Sequence, residues 1–413
     1  MTKTELQRYK YWSFLRSQLY PKEKNRTFAI YFLQIMNIPH PNTIEIILLS
    51  LMLFVWLWQF VFLTKRILPV ARHQSPPVIS GNFPPVSVII SARNEEENLA
   101  AFLPEVLSQD YPAFQVVVVN DGSEDETDMV LARLKAEYPH LYYTRIAPDR
   151  KFYHGKKLPL SLGIKAASHD ILILTDADCR PASDQWLKHM VSAMLTTNKE
   201  LVMGIGNYRK EKGLTNLWLR YDTFTIALQY LGFAISGKPY MATGRNMAYT
   251  KQLFQKANGF KSHIYVASGD DDLFVQEAAT KENTTVCINP EAHTISQAPA
   301  SFKKWKEQKE RHLSTAPYYK NSIKISLLME PVTRELFWIL TLLFIIFPNF
   351  ALLVLPFSLL LFLFKLLIWK KASDKTGMGK IFWGLLLFDI IQPIIIAFSH
   401  FGNLTGSKKR KWK

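Results

Sequence analysis

The sequence predicts an α/β domain with a mostly parallel sheet, flanked on both sides by transmembrane helices. Long apolar runs lie at residues 43–63 and again from residue 336 onwards. Between them, strand-like and helix-like segments alternate from residue 86, which is the pattern of a parallel sheet covered by helices. The strand-like segments end on polar residues, as they do in sheets that bind ligands at the carboxyl ends of their strands.

The first apolar run predicts a membrane-spanning helix at residues 43–64. Its only charged residue is Glu45, and Lys65 and Arg66 follow it directly. About 20 apolar residues suffice to cross a bilayer, so this run is long enough. The flanking segments are a basic N-terminal segment, 1–42, and a linker rich in proline, 65–84.

The orientation of this helix leaves two alternatives for the start of the chain. If the globular part is cytoplasmic, one span places the basic residues 1–42 outside, against the positive-inside rule. Met36 lies shortly before the span and is therefore an alternative native start to Met1.

The C-terminal apolar residues predict about three further helices within 326–404. One run extends from 336 to 368, which is too long for a single crossing of about 30 Å, and it is interrupted at Pro348. Another run occupies 381–401, and a basic tail follows at 405–413. If the globular part is cytoplasmic, three spans would place this tail outside and two would place it inside. Whether the number of C-terminal spans is odd or even stays open.

The net charge of +16 is assigned to the membrane and not to a nucleic acid. Much of the basic excess lies beside the apolar runs, where anionic headgroups and the positive-inside rule favour it. The two cysteines, Cys179 and Cys287, have neither the number nor the spacing of a zinc site or a disulfide framework. They fit a reducing, cytoplasmic environment for the globular part.

The globular domain is expected at residues 85–325. Its first strands are predicted at 86–90, 114–119, 142–146 and 171–174, with helices between them. Ser123 and Glu126 have the spacing of a capping box, which predicts that the second helix begins just after Ser123.

Asp176 and Asp178 carry the strongest single signal in this domain. They directly follow the apolar run at 171–174, and their i, i+2 spacing points both carboxylates to the same side of a strand. Two hard oxygen ligands suit a divalent cation that also holds phosphates, as Mg²⁺ usually does. The alternative is a solvated turn or a helix N-cap before Pro181.

Polar residues also follow the first two strands. Asn94 and Glu95 come after the first strand, and Asp121 ends the second. Each could be a turn residue, but polar clusters at the ends of three successive strands outline one cleft. Lys156 precedes the helix that leads into Asp176, where an ammonium could partner a metal-bound diphosphate.

Together these segments resemble the membrane-anchored family 2 glycosyltransferases over roughly residues 84–315. The resemblance rests on the order and spacing of four stretches, 86–96, 117–127, 155–164 and 175–178. It implies a Rossmann-like GT-A fold, a nucleotide-diphosphate sugar donor, most commonly a UDP-sugar, and a divalent metal, Mg or Mn. It also implies an integral protein of the inner or plasma membrane, at the cell envelope, with a cytoplasmic catalytic domain.

The same resemblance assigns roles to the polar residues of the cleft. It implies that Asn94, Glu95 and Asp121 hold the nucleoside. It further implies that Lys156 approaches the diphosphate and that Asp176 and Asp178 hold the donor and the metal. Residues 244–249 resemble a family segment near the acceptor side.

The acidic residues at 270–272 resemble the motif that supplies the catalytic base of this family. The usual glutamate is absent. Alignment on Leu273 makes Asp270 the base, whereas alignment on the acidic pair makes it Asp271. We slightly favour Asp270. The alternative is an acid-rich helix N-terminus that suits the helix dipole.

Gln308 and Arg311 match a further family motif, which borders the acceptor or the diphosphate on a helix near the membrane. Their i, i+3 spacing places them on one helix face. His312 stands where the family has tryptophan, which argues against processive polymer synthesis. Trp305, one turn earlier, could supply an aromatic surface instead.

These observations predict an inverting glycosyltransferase that moves a sugar to a lipid, lipid-linked or glycan acceptor at the membrane. The first alternative is a processive polysaccharide synthase of the same family. The second is a non-catalytic membrane protein that binds nucleotide-sugars. The acidic residues in the cleft argue against the second alternative, since a binding module has no need of a base.

Overall fold

The computed structural model describes residues 42–147, 155–266, 268–346 and 350–405, with side chains described up to residue 398. The basic segment up to residue 41, the alternative start Met36, the interruption at Pro348 and the tail from residue 406 lie outside this range.

The N-terminal apolar run forms one long helical segment. Helix α1, Thr43–Phe62, continues through a π-helical turn, Leu63–Ile67, into α2, Leu68–Arg72. Asn42 caps α1: its Oδ1 accepts from Glu45 N–H at 2.9 Å, and Glu45 Oε2 accepts from Asn42 N–H at 2.8 Å. Together, Thr43–Arg72 is long and apolar enough to cross a membrane.

The first half of the globular domain alternates strands and helices as predicted. Four parallel strands are joined by helices, with the order β3-β2-β1-β4 in the sheet. The elements are β1 Val86–Ala92, α3 Glu96–Leu107, β2 Phe114–Asp121, α4 Thr127–Glu137, β3 Leu141–Ile146, α5 Lys157–Ala166 and β4 Ile171–Asp176.

The second half has shorter strands and completes the sheet. Its elements are β5 Cys179–Pro181, α6 Trp186–Thr197, β6 Leu201–Met203, β7 Gly206–Tyr208, α7 Leu214–Ile235, β8 Met247–Thr250, α8 Lys251–Lys256, α9 Asp272–Ala278, β9 Thr284–Val286, β10 Thr294–Ser296 and α10 Phe302–Leu313. Strand β8 runs antiparallel to β4, and the main sheet has the order β3-β2-β1-β4-β8-β6-β9. Strands β5, β10 and β7 form a second, small sheet. The predicted mostly parallel α/β fold is confirmed.

Both faces of the main sheet are buried, which explains the continuous apolar runs of its strands. On β1, Val88 and Ile90 pack in the core on the α3 and α6 side, whereas Ile89 points into the core that α5 and α7 cover. This is the arrangement expected for parallel strands covered by helices on both sides. Each fully buried Val or Ile side chain contributes about 1.5–3 kcal/mol by leaving water.

The C-terminal region is helical. It consists of α11 Asn321–Ile346, α12 Ala351–Lys375, α13 Gly384–Phe388 and α14 Ile391–Thr405. By length and composition, the described residues hold two candidate spans, Thr43–Arg72 and Ala351–Lys375. They hold three if Gly379–Phe388 and Ile391–Phe398, bent by 76°, form one broken span. Helix α11 carries three charged residues in its middle, Glu330, Arg334 and Glu335.

The capping box predicted from Ser123 and Glu126 is wrong. Helix α4 begins at Thr127, four residues after Ser123. The Ser123 hydroxyl oxygen instead accepts from Asn94 N–H at 2.9 Å, and so joins the loop after β1 to the loop after β2.

Helix α7 joins the globular domain to the N-terminal helix at Gly232. An ideal Cβ on Gly232 would lie 1.6 Å from the carbonyl oxygen of Arg66, in the π-helical turn. No side chain fits there without moving the backbone of one helix. The glycine thus sets how closely α7 packs against the N-terminal apolar helix.

We expect Gly232→Ala to destabilise the protein by at least about 1–3 kcal/mol, the usual cost of overpacking a close contact. Thermal unfolding of the detergent-purified protein measures this change. Thr215→Ala, at an exposed position of the same helix, is the control. Equal unfolding temperatures for the two variants would contradict the close packing described here.

Candidate active site

Asp176 and Asp178 lie at the carboxyl end of the central strand β4. Together with Cys179, each offers one ligand atom within 4.8 Å of the others. Burial, reinforced by the neighbouring Asp176 carboxylate, raises the pKa of Asp178. Burial also raises the pKa of the Cys179 thiol, so it stays protonated and is a poor ligand. The two carboxylates fit a hard divalent cation, which would offset their mutual repulsion.

Lys156 stands between two acidic segments of the cleft. Its ammonium forms an ion pair with Asp176 and lies 3.5 Å from Asp270 Oδ2. Burial works to raise the pKa of Asp176, but the charge and hydrogen bond of Lys156, together with the charges of Arg245 and Arg311, outweigh burial, and the pKa lies below its ordinary value. Asp176 is therefore ionised at neutral pH, as a metal ligand must be.

Arg245 is a further cation beside the two carboxylates, and it was assigned no role of its own from the sequence. Its guanidinium lies 4.8 Å from the centre of the Tyr208 ring. It donates to Ser296 Oγ at 2.8 Å and to the Gly206 carbonyl oxygen at 2.9 Å. These contacts fix the positive charge, which acts against burial at both carboxylates and contributes to the lowered pKa of Asp176, whereas the pKa of Asp178 stays raised.

The loop before α9 is held in place by Lys157, the neighbour of Lys156. The Lys157 ammonium is buried and donates to the backbone carbonyl oxygens of Val266 and Ser268, at 2.5 and 2.7 Å. Gly269 has a φ of 98°, a conformation that favours glycine. The consecutive lysines thus have different functions: Lys156 reaches the carboxylates and Lys157 fixes the loop that carries Asp270.

The three aspartates at 270–272 have different surroundings. Asp271 caps α9: its Oδ1 accepts from Asp272 N–H at 2.8 Å, and its Oδ2 accepts from Gly244 N–H at 2.9 Å. Asp272 is buried, and its Oδ2 accepts from the hydroxyl groups of Thr315 and Tyr319, both at 2.5 Å. Asp270 instead faces Lys156.

The residues after β1 and β2 lie at the same edge of the sheet as Asp176. Ser91 on β1 pairs with Asp176, and Ala92 pairs with Asn120 on β2, so the three strands end at one level. Asn94 adopts a φ of 53°, and its Oδ1 accepts from Glu124 N–H at 2.8 Å.

Two further side chains complete this part of the edge. Asp121 Oδ2 lies 4.0 Å from Arg93 Nη1. Glu95 Oε2 accepts from Asn98 Nδ2 at 2.5 Å, and Glu95 N–H donates to Thr127 Oγ1 at 3.2 Å. The structure thus brings Asn94, Glu95 and Asp121 to the predicted edge.

Helix α10 carries Gln308 and Arg311 towards the same cleft. Gln308 Oε1 accepts from the Tyr208 hydroxyl at 3.1 Å, and the Arg311 charge lowers the pKa of Asp176 together with Lys156. His312 is exposed. The suggestion that Trp305 offers an aromatic surface is wrong, because its ring is buried against Trp218 at 5.5 Å between ring centres.

We expect the stability of the protein to fall as the pH rises from about 4 to about 7, in part because of Asp271. Burial and the Asp270 and Asp272 carboxylates raise its pKa to about 7. The folded state therefore holds more protons than the unfolded state in this range, and that stabilisation disappears as the pH passes 7.

Asp271→Asn removes this titration but loses an acceptor for a backbone N–H at every pH. Compared with the variant, the wild-type protein should therefore lose thermal stability between pH 5 and pH 7.5. Unfolding temperatures of both proteins at the two pH values test this. A difference that stays constant with pH would contradict the raised pKa.

The globular domain matches the family described as glycosyl transferase family 2 over residues 87–257. Glycosyltransferase AglE from Haloferax volcanii is 31% identical over 194 residues, covering 46% of this chain and 60% of that protein. Beta-monoglucosyldiacylglycerol synthase from a Synechocystis species is 28% identical over 126 residues, covering 29% of this chain and 26% of that protein. The chain thus spans less than two thirds of the length of either relative.

A solved structure has the same fold. Mannosyltransferase PcManGT from Pyrobaculum calidifontis, in complex with GDP-Man and Mn²⁺, superposes with a TM-score of 0.57 at 16% identity. The match covers 88% of this chain and 99% of that one, which confirms the GT-A fold. Residues 87–257, the stretch from β1 to β8, are thus similar in sequence to glycosyl transferase family 2, and they make up less than half of the chain.

Proposed function

We propose that the protein transfers a sugar from a nucleotide-diphosphate donor to a lipid or lipid-linked acceptor, with inversion at the anomeric carbon. The observation that carries this proposal is the position of Lys156 between Asp176 and Asp270. Asp176 is a candidate for donor binding and Asp270 is the candidate base. They come from two distant segments of the sequence, and both face the cleft beside Lys156. The catalytic domain is proposed to lie at the cytoplasmic face of the membrane.

The donor is proposed to bind along the edge where β1, β2 and β4 end. Asn94, Glu95 and Asp121 would hold the nucleoside, and Lys156 would face the diphosphate. We propose a UDP-sugar as donor. The archaeal mannosyltransferase of the same fold holds GDP-Man, so GDP-sugars belong in the same test.

Asp176 and Asp178 are the residues proposed to hold a divalent metal, Mg or Mn. The metal would offset the charge of the departing nucleoside diphosphate. The archaeal mannosyltransferase is described with Mn²⁺. Lys156 and Arg311, both close enough to Asp176 to lower its pKa, would add positive charge at the same place.

Asp270 is proposed as the general base. The acceptor hydroxyl oxygen would form a bond to the anomeric carbon as the bond from that carbon to the diphosphate breaks. The hydroxyl proton would pass to the Asp270 carboxylate. Asp271 and Asp272 are less suited, because backbone amides or hydroxyl groups already donate to their oxygens.

The acceptor is proposed to be a lipid because the cleft lies beside the membrane helices. Helix α10, which carries Gln308 and Arg311, packs against α14 of the C-terminal helical region. One bacterial relative is named as the synthase of a glycosylated diacylglycerol. Gln308 and Arg311 are proposed to border the acceptor or the diphosphate.

The first test of this function is release of nucleoside diphosphate by the detergent-purified protein. We expect release from one donor in a panel of UDP- and GDP-sugars, in the presence of Mn²⁺ or Mg²⁺ and membrane lipid extract. EDTA or Asp178→Ala should abolish it. The absence of release from every donor would favour the non-catalytic alternative.

A second test identifies the base. General-base catalysis contributes about 10²- to 10⁴-fold, so Asp270→Asn should reduce turnover by that order. Asp271→Asn and Asp272→Asn should reduce turnover less than Asp270→Asn does. They should instead lower the stability of the protein, since these two side chains accept hydrogen bonds from backbone amides and hydroxyl groups. Rates of sugar transfer by the three variants at saturating donor measure this. A larger loss in Asp271→Asn than in Asp270→Asn would transfer the role to Asp271.

A further inference from the structure

A chain of buried polar side chains runs from helix α10 into the C-terminal helices. We call it the interhelical network. It crosses α10, α7, α14, α11 and α12. Its members are Lys309, Asp222, Gln392, Arg334, Asp389 and Lys365.

The first part of the network fixes α10 to α7. Lys309 Nζ lies 3.0 and 3.2 Å from the two carboxylate oxygens of Asp222. Both side chains are buried. Lys309 stands directly after Gln308 and two residues before Arg311, so this ion pair holds the part of α10 that faces the cleft.

Few other contacts of α10 involve buried side chains, although the Tyr208 hydroxyl also donates to Gln308 and the helix packs against α14. Of its twelve residues, only Trp305, Lys309 and Glu310 are buried among the described side chains. Trp305 packs against Trp218 near the start of the helix. An amphipathic helix is normally held by an apolar stripe, and α10 has one aromatic ring in its place. Lys309, with its buried ion pair to Asp222, therefore contributes to fixing the rotation of α10 around that ring.

The second part of the network is a cluster of charges in the C-terminal helices. Asp389 Oδ1 lies 2.6 Å from Lys365 Nζ and 3.4 Å from Arg334 Nη1. The Trp338 indole N–H donates to Asp389 Oδ2 at 3.0 Å. Arg334 also donates to Glu330 Oε2 at 3.4 Å. With Glu330 included, three acids face three bases, so the buried charges balance.

Gln392 connects these two parts. Its Nε2 donates to Asp222 Oδ1 at 2.9 Å, and its Oε1 accepts from Arg334 Nη1 at 3.2 Å. An amide can donate and accept at once, so a neutral residue bridges a buried acid and a buried base. Gln392 is 1% exposed and lies in α14, the helix against which α10 packs.

We propose that Gln392 is a positioning residue for sugar transfer. Through Asp222 and Lys309, it ties the orientation of α10 to the C-terminal helices. Gln308 and Arg311 then point to the cleft only when those helices are in place. Buried ion pairs contribute little to stability compared with apolar residues of similar size, so fixing a geometry is the better-supported reason for this network. The inference rests on the proposed function.

Gln392→Met is the variant that removes only the connection between Asp222 and Arg334. Methionine has a similar length and no branch, removes both hydrogen bonds, and leaves every charge of the network with a partner. The matched control is Thr341→Val in α11. It removes the hydrogen-bond contacts of Thr341 Oγ1 with the Phe337 carbonyl oxygen, at 2.6 Å, and with Ser358 Oγ, at 3.2 Å, without touching Asp222 or Arg334.

The first readout does not depend on activity. Amide hydrogen exchange in peptides covering residues 302–313 is compared for the full chain in detergent. We expect about tenfold faster exchange in Gln392→Met, the scale for loss of one or two hydrogen bonds. Thr341→Val should exchange at the wild-type rate.

The second readout separates positioning from stability. The donor that the wild-type protein accepts is supplied with and without membrane lipid extract. Gln392→Met should transfer sugar to lipid about tenfold more slowly than the wild-type protein at a temperature where both are folded, since α10 carries Gln308 and Arg311 to the cleft, and Thr341→Val should transfer it at the wild-type rate. Equal transfer rates of folded Gln392→Met and Thr341→Val would overturn the positioning role.

A second variant covers the case in which Gln392→Met does not fold. Gln392→Glu keeps the acceptor for Arg334 but places a carboxylate against Asp222, and exchange in α10 should again rise. Wild-type exchange in a folded variant would overturn the link. If the wild-type protein releases nucleoside diphosphate from no donor while α10 still responds to Gln392→Met, the proposed function fails and the link between the helices stands.

Discussion

The arrangement of the site depends on one cation, Lys156, between two carboxylates. Asp176 ends β4 and Asp270 precedes α9, so two acidic segments far apart in sequence approach one another. Without a positive charge between them, the repulsion of the two carboxylates would raise the pKa of Asp176 or separate the segments. Lys156 reaches both, and Lys157 holds the loop that brings Asp270 near. Two adjacent lysines therefore determine the geometry of the cleft.

The parallel half of the sheet could be predicted because burial on both faces leaves a direct mark on the sequence. Strands β1, β2 and β4 each contain a run of three or more valine, isoleucine or leucine residues, and each run is followed by polar residues. The second half has strands of three or four residues, such as β6 and β7, which carry no periodicity of their own. Pairing with distant strands creates them, and a local pattern cannot report that.

The candidate site likewise contains residues that a local sequence pattern predicts and residues that only tertiary structure brings together. Asp176, Asp178 and Asp121 follow strands, so the rule that ligands bind at carboxyl edges finds them. Arg245 lies in a loop before a four-residue strand, and only folding brings it beside the carboxylates. The Ser123 side chain matches a capping pattern, yet it bonds the neighbouring loop. Short polar side chains satisfy whichever backbone group is closest, and tertiary structure decides which one that is.

The charged residues of the C-terminal helices connect those helices to one another, although their positions in the sequence suggest only the edge of an apolar run. Helix α11 begins 15 residues before its apolar run, and Arg334, Glu330 and Glu335 lie ahead of that run. From composition alone, these three charged residues would mark the point where a membrane-spanning segment begins. In the structure Arg334 is 3% exposed and pairs with Asp389 of the last helices. Ionisable residues buried among apolar helices are costly, and they persist where they fix a geometry that function needs. Here they lead, through Gln392 and Asp222, to the helix that faces the proposed acceptor.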